Sequence, residues 1–239
     1  MSRTLSKSDF KVAQDCPTKL YYRKHKFPST MDENEYLKML AEGGYAVGKL
    51  ATLLYPEGVD LGDIGDPAEA VRRTNELLAQ ENATVFEAAM RHGDYLVRVD
   101  VLVKRGNVLE LIEVKSTSVD STAPDFLKKS GQIDPGWRPY IEDVAYQTMV
   151  AWLAYPALTV VPYLMMPDKS RTTAIEGLNS QFEVKVKPTV PGTRFRNYVV
   201  TFTGDVEALR ADGLLAKMPM EELVTPMLPT LAKAAATYA

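Results

Sequence analysis

Alternating hydrophobic and polar residues mark a β-hairpin in the middle of the chain. Residues 95–118 read YLVRVDVLVKRGNVLELIEVKSTS, in which two runs rich in Val, Leu and Ile flank Gly106-Asn107. A glycine at the first central position suits a two-residue type II′ turn, and such a turn pairs Arg105 with Val108. The pattern therefore predicts two antiparallel strands in a fixed register.

This register gathers polar side chains on one face of the hairpin. It places Asp100 directly opposite Glu113, where Cβ atoms lie about 5 Å apart, and it puts Lys115 two residues farther along the same face. The other face is predicted to pack on the core through branched residues: Val97, Val99, Val101, Val103, Val108, Ile112 and Val114. Because a one-residue slip would separate Asp100 from Glu113, the functional interpretation depends on this register.

The pattern along the rest of the chain predicts a mixed α/β fold. Helices are expected over 33–55, 67–80 and 139–155, strands over 83–91, 159–166, 181–187 and 198–202, and a helix-rich end over 206–239. Together with the hairpin, these elements indicate a mixed central sheet flanked by helices.

The acids and the lysine of the hairpin form a candidate metal site. Two carboxylates that lie close together raise each other's pKa unless a cation lies between them. Mg²⁺ or Mn²⁺ suits the position between Asp100 and Glu113, with the backbone carbonyl of Val114 and waters completing its oxygen ligands. A neighbouring lysine, here Lys115, can orient or help to deprotonate an attacking water and stabilise negative charge on a phosphate. The alternative is that Glu113 and Lys115 are solvated residues on an exposed edge strand.

The order and spacing of these residues resemble a known signature. Asp100, followed after twelve residues by Glu113-Val114-Lys115, resembles the Asp…Glu-x-Lys signature of the PD-(D/E)xK nuclease superfamily, and its RecB-like exonuclease branch in particular. The resemblance implies a restriction-endonuclease-like fold, with a mixed central sheet flanked by helices. It also implies that Asp100, Glu113 and the carbonyl of Val114 hold Mg²⁺ or Mn²⁺ and that Lys115 assists the water.

Two further residues acquire roles through this resemblance. The stretch from Asp143 to Gln147 looks like the downstream glutamine motif of the branch, so Gln147 is expected to position water or substrate. The tyrosine that usually follows four residues later is Ala151 here. Enzymes of the branch often carry an additional acid near Glu87, which is therefore expected to bind metal or orient water, or else to be an exposed strand residue.

The N-terminal segment contributes one more element of the resemblance. Its pattern Ser-x-Ser…Cys-Pro…Leu-Tyr, from residue 6 to residue 21, is similar to the N-terminal element of RecB-like nucleases. In iron–sulfur members, a cysteine at this point joins three others near the C-terminus. Because Cys16 is the only cysteine of the chain, we expect no iron–sulfur cluster.

The distribution of charge suggests where nucleic acid would bind. Residues 1–30 hold seven Lys and Arg against two Asp, although the net charge of the chain is −3. A basic segment on an acidic body favours contact with phosphates, but it is also typical of a solvated helix face. The expected contacts are Lys19, Tyr22, Arg23 and Lys24 in this segment and Lys128 and Lys129 in a polar loop over 116–138, which can equally be an ordinary surface loop.

These features lead to an expected organisation and location. We expect one nuclease-like domain over 1–239, with a basic helical element at 1–30, a catalytic core at 83–167 and a C-terminal elaboration at 168–239. No apolar run approaches the roughly 20 residues that span a bilayer, and the N-terminus lacks a signal-peptide core, so we expect a cytoplasmic protein without membrane contact.

The resemblance implies a Mg²⁺- or Mn²⁺-dependent deoxyribonuclease. Its expected partners are single-stranded DNA or duplex ends, and a helicase or another nuclease subunit. The expected activity is exonucleolytic trimming in repair or foreign-DNA defence. Two alternatives remain: a restriction-type endonuclease with the same hairpin, and a non-catalytic nucleic-acid-binding or scaffold subunit that retains the fold.

Overall fold

The computed structural model describes residues 4–28, 35–186 and 198–238, with residues 35–41 and Val186 described as backbone only. The strands are β1 (Leu5–Ser6), β2 (Val59–Asp60), β3 (Asn82–His92), β4 (Tyr95–Arg105), β5 (Val108–Val114), β6 (Thr159–Pro167), β7 (Phe182–Val186), β8 (Tyr198–Phe202) and β9 (Leu215–Pro219). The helices are α1 (Lys7–Asp15), α2 (Pro17–Lys24), α3 (Glu35–Leu53), α4 (Pro67–Leu78), α5 (Arg138–Ala154), α6 (Val206–Asp212), α7 (Glu221–Val224) and α8 (Leu228–Tyr238).

The central sheet contains both parallel and antiparallel pairs, as predicted for a mixed α/β fold. Its strand order is β2-β3-β4-β5-β6-β9, and β1 adds to β4. The pairs β3–β4, β4–β5 and β6–β9 are antiparallel, whereas β1–β4, β2–β3 and β5–β6 are parallel. Helix α5 is the crossover between the parallel strands β5 and β6, so it packs on the sheet beside the hairpin.

The predicted register of the hairpin is confirmed. Arg105 pairs with Val108, and the pairing continues without a slip to Val101 and Ile112. The turn is possible because Gly106 adopts a φ of +58°, which a residue with a side chain rarely tolerates. Asp100 and Glu113 are the next positions in the same register.

The prediction of a single valine face is wrong. Val97 and Val99 pack in the larger core, together with residues of α5, whereas Val101, Val103 and Ile112 pack in a second core against α3. The alternation of side chains between the two faces changes at Glu87 on β3 and Asp100 on β4. These two residues lie opposite each other, and regular strand pairing continues on both sides of them. Glu87 has a φ of +53°, and this left-handed conformation breaks the two-residue period of an extended strand. Both faces of the sheet are consequently covered.

Most of the other predicted elements are confirmed within a few residues. Positions 33, 34 and 187, at the ends of a predicted helix and a predicted strand, lie outside the described residues. The strands at 182–186 and 198–202 form a separate two-stranded sheet rather than joining the central one. Strand β9 was not predicted, because Leu-Ala-Lys-Met has no β-branched residue and becomes a strand by pairing with the edge of β6.

A helix that crosses a bilayer has to be both long and apolar, and the helices in the described part of the chain do not meet this requirement.

Candidate active site

Glu113 lies at the centre of a buried polar cluster. It is the second-to-last residue of β5, and only 1% of its surface is exposed. Its Oε1 accepts hydrogen bonds from two ammonium groups, Lys7 Nζ at 2.6 Å and Lys115 Nζ at 2.7 Å. Its Oε2 accepts from Gln147 Nε2 at 2.5 Å. The structure therefore brings together three residues predicted from the sequence, Glu113, Lys115 and Gln147, and adds Lys7.

Lys115 bridges the hairpin and the crossover helix. Besides Glu113, its ammonium contacts Asp143 Oδ2 on α5 at 2.8 Å. Burial alone would lower the pKa of Lys115, but the adjacent Glu113 and Asp143 carboxylates outweigh it and raise that pKa above its ordinary value. Lys115 is accordingly a charged ammonium across the usual pH range.

The neighbouring charges lower the pKa of Glu113, whereas they raise the pKa of Lys115. Burial would raise the pKa of this carboxyl group, but Lys7 and Lys115 attract its charged form and bring the pKa below its ordinary range. Glu113 is therefore an ionised carboxylate, although it is almost inaccessible to solvent.

Asp100 has different surroundings. Its Oδ2 accepts a hydrogen bond from the amide of Val114 at 2.7 Å. Burial and the repulsion of Glu113 raise the pKa of Asp100 to about 8, and Lys7 opposes this only in part. Asp100 thus lacks the positive charge that would hold its carboxylate ionised.

A cleft of about 300 Å³ opens beside Asp100. One wall comes from α3 and the other from β8, and Tyr45 stacks on Tyr198 between them with ring centroids 3.5 Å apart. The cleft is mainly acidic, because Asp60, Asp63, Glu87 and Asp100 line it together with one cation, Lys49. The predicted metal ligand Val114 also lies at its surface.

Sequence reasoning missed several of these residues. Asp60 and Asp63 belong to a Gly- and Asp-rich connection that carried no periodic signal, and only the parallel pairing of β2 with β3 brings it to the cleft. Tyr45 and Tyr198 are separated by more than 150 residues. Lys7 had a partial signal, because Ser6 and Asp9 have the spacing of a capping box that starts a helix at Lys7.

The predicted site residue Glu87 does reach the cleft. Its φ of +53° aims its side chain out of the regular ladder, and its charge contributes to raising the pKa of Asp100. Arg98 binds the carbonyl groups around this irregularity, donating to Ile64 at 2.6 Å and to Glu87 at 3.4 Å. Glu87 is therefore an acid of the cleft rather than an ordinary exposed strand residue.

The donor set fits a hard divalent ion in part. The positive charge of Lys7 only partly offsets the burial and repulsion that raise the pKa of Asp100, and Gln147 Oε1 is buried without a hydrogen-bond partner among the described residues. Both observations indicate an oxygen-rich place where positive charge would be stabilising. Among the described residues, however, no three side chains of His, Cys, Asp or Glu come together as a metal site. Backbone carbonyl and water would have to complete the ligands, as Mg²⁺ commonly requires.

The predicted nucleic-acid contacts of the N-terminal segment lie on α2, a helix without a buried residue. Their charges are largely paired within the segment. Lys19 pairs with Asp15, and both Arg23 and Lys24 contact Asp9, the latter at 2.8 Å. The aromatic ring of Tyr22, 48% exposed, packs edge-on against Phe27.

The other two predicted contacts, Lys128 and Lys129, are exposed in the loop between β5 and α5. This loop contains a short bridge between Leu127 and Ile133. Cys16, at the junction of α1 and α2, is partly exposed and free.

Comparison with known proteins adds no relative to this picture. No family model matches the chain, and a search of curated proteins found no match. The resemblance of the hairpin to the PD-(D/E)xK signature therefore stays a prediction from the sequence.

Proposed function

We propose that this protein is a Mg²⁺- or Mn²⁺-dependent nuclease that hydrolyses phosphodiester bonds of DNA. The observation that carries the proposal is the contact of one buried carboxylate, Glu113, with both Lys115 and Gln147 beside Asp100. Asp100 lies on β4, Glu113 on β5, Lys115 directly after β5 and Gln147 on the crossover helix α5. They match the acid, lysine and glutamine positions that the sequence resemblance implies.

The chain offers a definite set of ligands for the ion. Asp100, Glu113 and the carbonyl of Val114 would hold it, and Glu87 lies close enough in the cleft to repel Asp100. When bound, such an ion supplies Lewis-acid stabilisation of phosphate charge and lowers the pKa of a coordinated water. It would also offset the repulsion that raises the pKa of Asp100.

Lys115 acts as a cation in this reaction. Because its pKa is raised by Glu113 and Asp143, it keeps its proton and stabilises the charge that develops on the phosphate oxygens. Gln147 donates through Nε2 to Glu113, so its unpartnered Oε1 is the atom available to accept a hydrogen bond from water. These two residues orient and stabilise, and neither needs to act as a general base.

The hydrolysis itself has a simple balance of bonds. The oxygen of a water molecule forms a new bond to phosphorus, and one ester bond between phosphorus and oxygen breaks. One proton of the water is transferred, directly or through solvent, to the departing oxygen. The products are a terminal phosphate and a terminal hydroxyl group.

The finer assignments rest on the sequence resemblance. An exonuclease that trims DNA ends in repair or foreign-DNA defence, acting with a helicase or another nuclease subunit, is the form that we propose. The contacts with DNA at Lys19, Tyr22, Arg23, Lys24, Lys128 and Lys129 and the cytoplasmic location stay predictions.

The decisive experiment compares the wild type with Lys115→Ala on end-labelled DNA, single-stranded and double-stranded, with Mg²⁺, Mn²⁺ or EDTA. We expect metal-dependent degradation by the wild type and a loss of about a hundredfold or more in the variant. Lys217→Ala is a matched control, because Lys217 also pairs with a glutamate, Glu110, at 2.6 Å and is similarly exposed. It should retain wild-type activity.

Equal and negligible degradation by the wild type and Lys115→Ala would contradict an enzymatic function. Circular DNA separates the two nuclease alternatives, because an exonuclease leaves it intact and a restriction-type endonuclease cuts it.

A second candidate is a non-catalytic nucleic-acid-binding or scaffold subunit. It is favoured by the occupation of Glu113 Oε1 by two lysines and by the lack of a three-residue metal cluster in the described ranges. Binding of DNA without metal-dependent cleavage is the result that this candidate predicts.

A further inference from the structure

Two ammonium groups meet at a single buried oxygen atom. Lys7 Nζ lies 2.6 Å from Glu113 Oε1, and Lys115 Nζ lies 2.7 Å from the same atom. The proposed reaction uses Lys115 but leaves Lys7 without a role. Lys7 comes from the N-terminal segment, 106 residues before Glu113.

The position of Lys7 is fixed by its neighbours. The amide of Leu5 donates to the carbonyl of Asp94 at 2.7 Å, and the carbonyl of Leu5 accepts from the hydroxyl of Tyr146 at 2.7 Å. Ser6 then caps α1 through a reciprocal contact with Asp9. Because the backbone is held on both sides of Lys7, its approach to Glu113 is a property of the fold.

A second lysine on the same helix provides a contrast. Lys11, one turn after Lys7, reaches Asp143 only at 3.4 Å, and its side chain is 54% exposed. The side chain of Lys7 is 22% exposed. Lys7 is therefore the cation of α1 that belongs to the buried cluster.

A divalent ion and an ammonium group cannot share one carboxylate oxygen without repulsion. Mg²⁺ binds its oxygen ligands at about 2.0–2.1 Å, and a positive charge already in contact with the same atom opposes this approach. Metal binding at Glu113 would consequently displace one of the two ammonium groups. Lys115 is anchored by a second carboxylate, Asp143, at 2.8 Å, whereas Glu113 is the one carboxylate in ion-pair contact with Lys7 among the described residues, so Lys7 is the less constrained group and the one that would leave.

We propose that Lys7 is a further substrate-binding residue of this site: it is the counter-ion of Glu113 until a divalent metal ion displaces it toward a phosphate of the substrate. The inference rests on the proposed function and deepens it. The released ammonium finds a new partner in a non-bridging phosphate oxygen, and no covalent bond changes in this step.

The first test measures metal binding without substrate. Mn²⁺ is titrated into the wild type, Lys7→Met and Lys217→Met, and the free ion is followed by electron paramagnetic resonance. Because Lys7→Met removes the competing cation, we expect it to bind Mn²⁺ about tenfold more tightly. Lys217→Met should bind as the wild type does.

The second test measures cleavage of a short labelled DNA strand by the same proteins. Lys7→Met is expected to lose on the order of tenfold or more in kcat/KM, because one charged contact with the phosphate is missing. Lys7→Arg keeps the positive charge and should recover most of this loss. Tighter metal binding combined with slower cleavage is a signature that a purely structural lysine would not produce.

The results of these two tests distinguish a failure of the role proposed for Lys7 from a failure of the proposed nuclease function. If the wild type binds Mn²⁺ and cleaves DNA but Lys7→Met matches it in both, the role of Lys7 is refuted and the nuclease stands. Weaker Mn²⁺ binding by a folded Lys7→Met also refutes it. If the wild type neither binds Mn²⁺ nor cleaves DNA, the proposed function fails, and the inference fails with it.

Discussion

Asp100 and Glu113 occupy opposite positions of one hairpin, and yet their electrostatic surroundings differ in sign. Glu113 contacts Lys7, Lys115 and the amide group of Gln147, and these ammonium groups lower its pKa. Asp100 accepts a hydrogen bond from the backbone amide of Val114, and burial together with the repulsion of Glu113 raises its pKa to about 8. Strand pairing sets which carboxylates are neighbours, but distant parts of the chain decide which of them is charged.

The difference also indicates where a positive charge is missing. On the side of Glu113 the cations are already supplied by Lys7 of α1 and by Lys115, directly after β5. On the side of Asp100, three further acids and one cation, Lys49, line the cleft. A divalent ion would therefore stabilise the site mainly by adding positive charge next to Asp100. At Glu113 the ion would replace an ammonium group that already neutralises the carboxylate.

The most disruptive change should be the removal of the charge on Glu113. Glu113→Gln removes a buried carboxylate from two ammonium groups, of which Lys115 keeps Asp143 and Lys7 keeps no other ion pair among the described residues, and breaking a buried ion pair costs about 3–5 kcal/mol of unfolding free energy. Urea denaturation of the metal-free protein measures this loss. Glu110→Gln is the control, because Glu110 lies on the same strand in a partly exposed pair with Lys217 and should cost about 1 kcal/mol or less. Equal losses in the two variants would contradict the contrast between buried and exposed pairs.

Neutralising Asp100 should have the opposite effect at high pH. The pKa of Asp100 is raised from its ordinary 3.8 to about 8, so the folded protein keeps a proton that the unfolded chain releases. The stability that this proton contributes is complete below about pH 4 and is lost as the pH rises through about 8. Asp100→Asn should therefore be more stable than the wild type at pH 9, by about 2 kcal/mol or more, and similar to it at pH 4.

This pH dependence is measured by thermal unfolding in EDTA between pH 4 and pH 9. A constant difference in Tm between Asp100→Asn and the wild type over that range would show that Asp100 is not protonated in the folded protein.

The smallest effect concerns the backbone at Glu87. A left-handed φ costs a residue with a side chain about 1–2 kcal/mol relative to glycine. Glu87→Gly should therefore be about 1 kcal/mol more stable than Glu87→Ala, which removes the same charge but keeps the side-chain Cβ. Denaturant unfolding of both variants gives the comparison, and a less stable glycine variant would contradict the assignment of strain to this position.

The features that short stretches of the chain determine were predictable from the sequence. The hairpin register followed from Gly106-Asn107 and the flanking runs, because a two-residue turn fixes every pair on either side of it. Gln147 was found through its motif, and the crossover helix then carries it to Glu113. Both signals lie within short stretches of the chain.

The features that were not predicted depend on contacts between segments that are distant in the sequence. The tertiary fold brings four further features to the site: Lys7, Asp60, Asp63 and the Tyr45–Tyr198 stack. The single valine face failed because the valines of β4 divide between two cores at Asp100, opposite the left-handed Glu87 of β3, and nothing in the side-chain pattern of either strand indicates that change.

The most direct test of the account is Mn²⁺ binding, because it requires no substrate or partner protein. Isothermal titration of the wild type should show saturable binding, and Asp100→Asn and Glu113→Gln should each weaken it by about tenfold or more, since each removes a carboxylate ligand. Glu110→Gln should leave the affinity unchanged. The absence of saturable binding by the wild type, or wild-type affinity in both site variants, would contradict a metal site between Asp100 and Glu113.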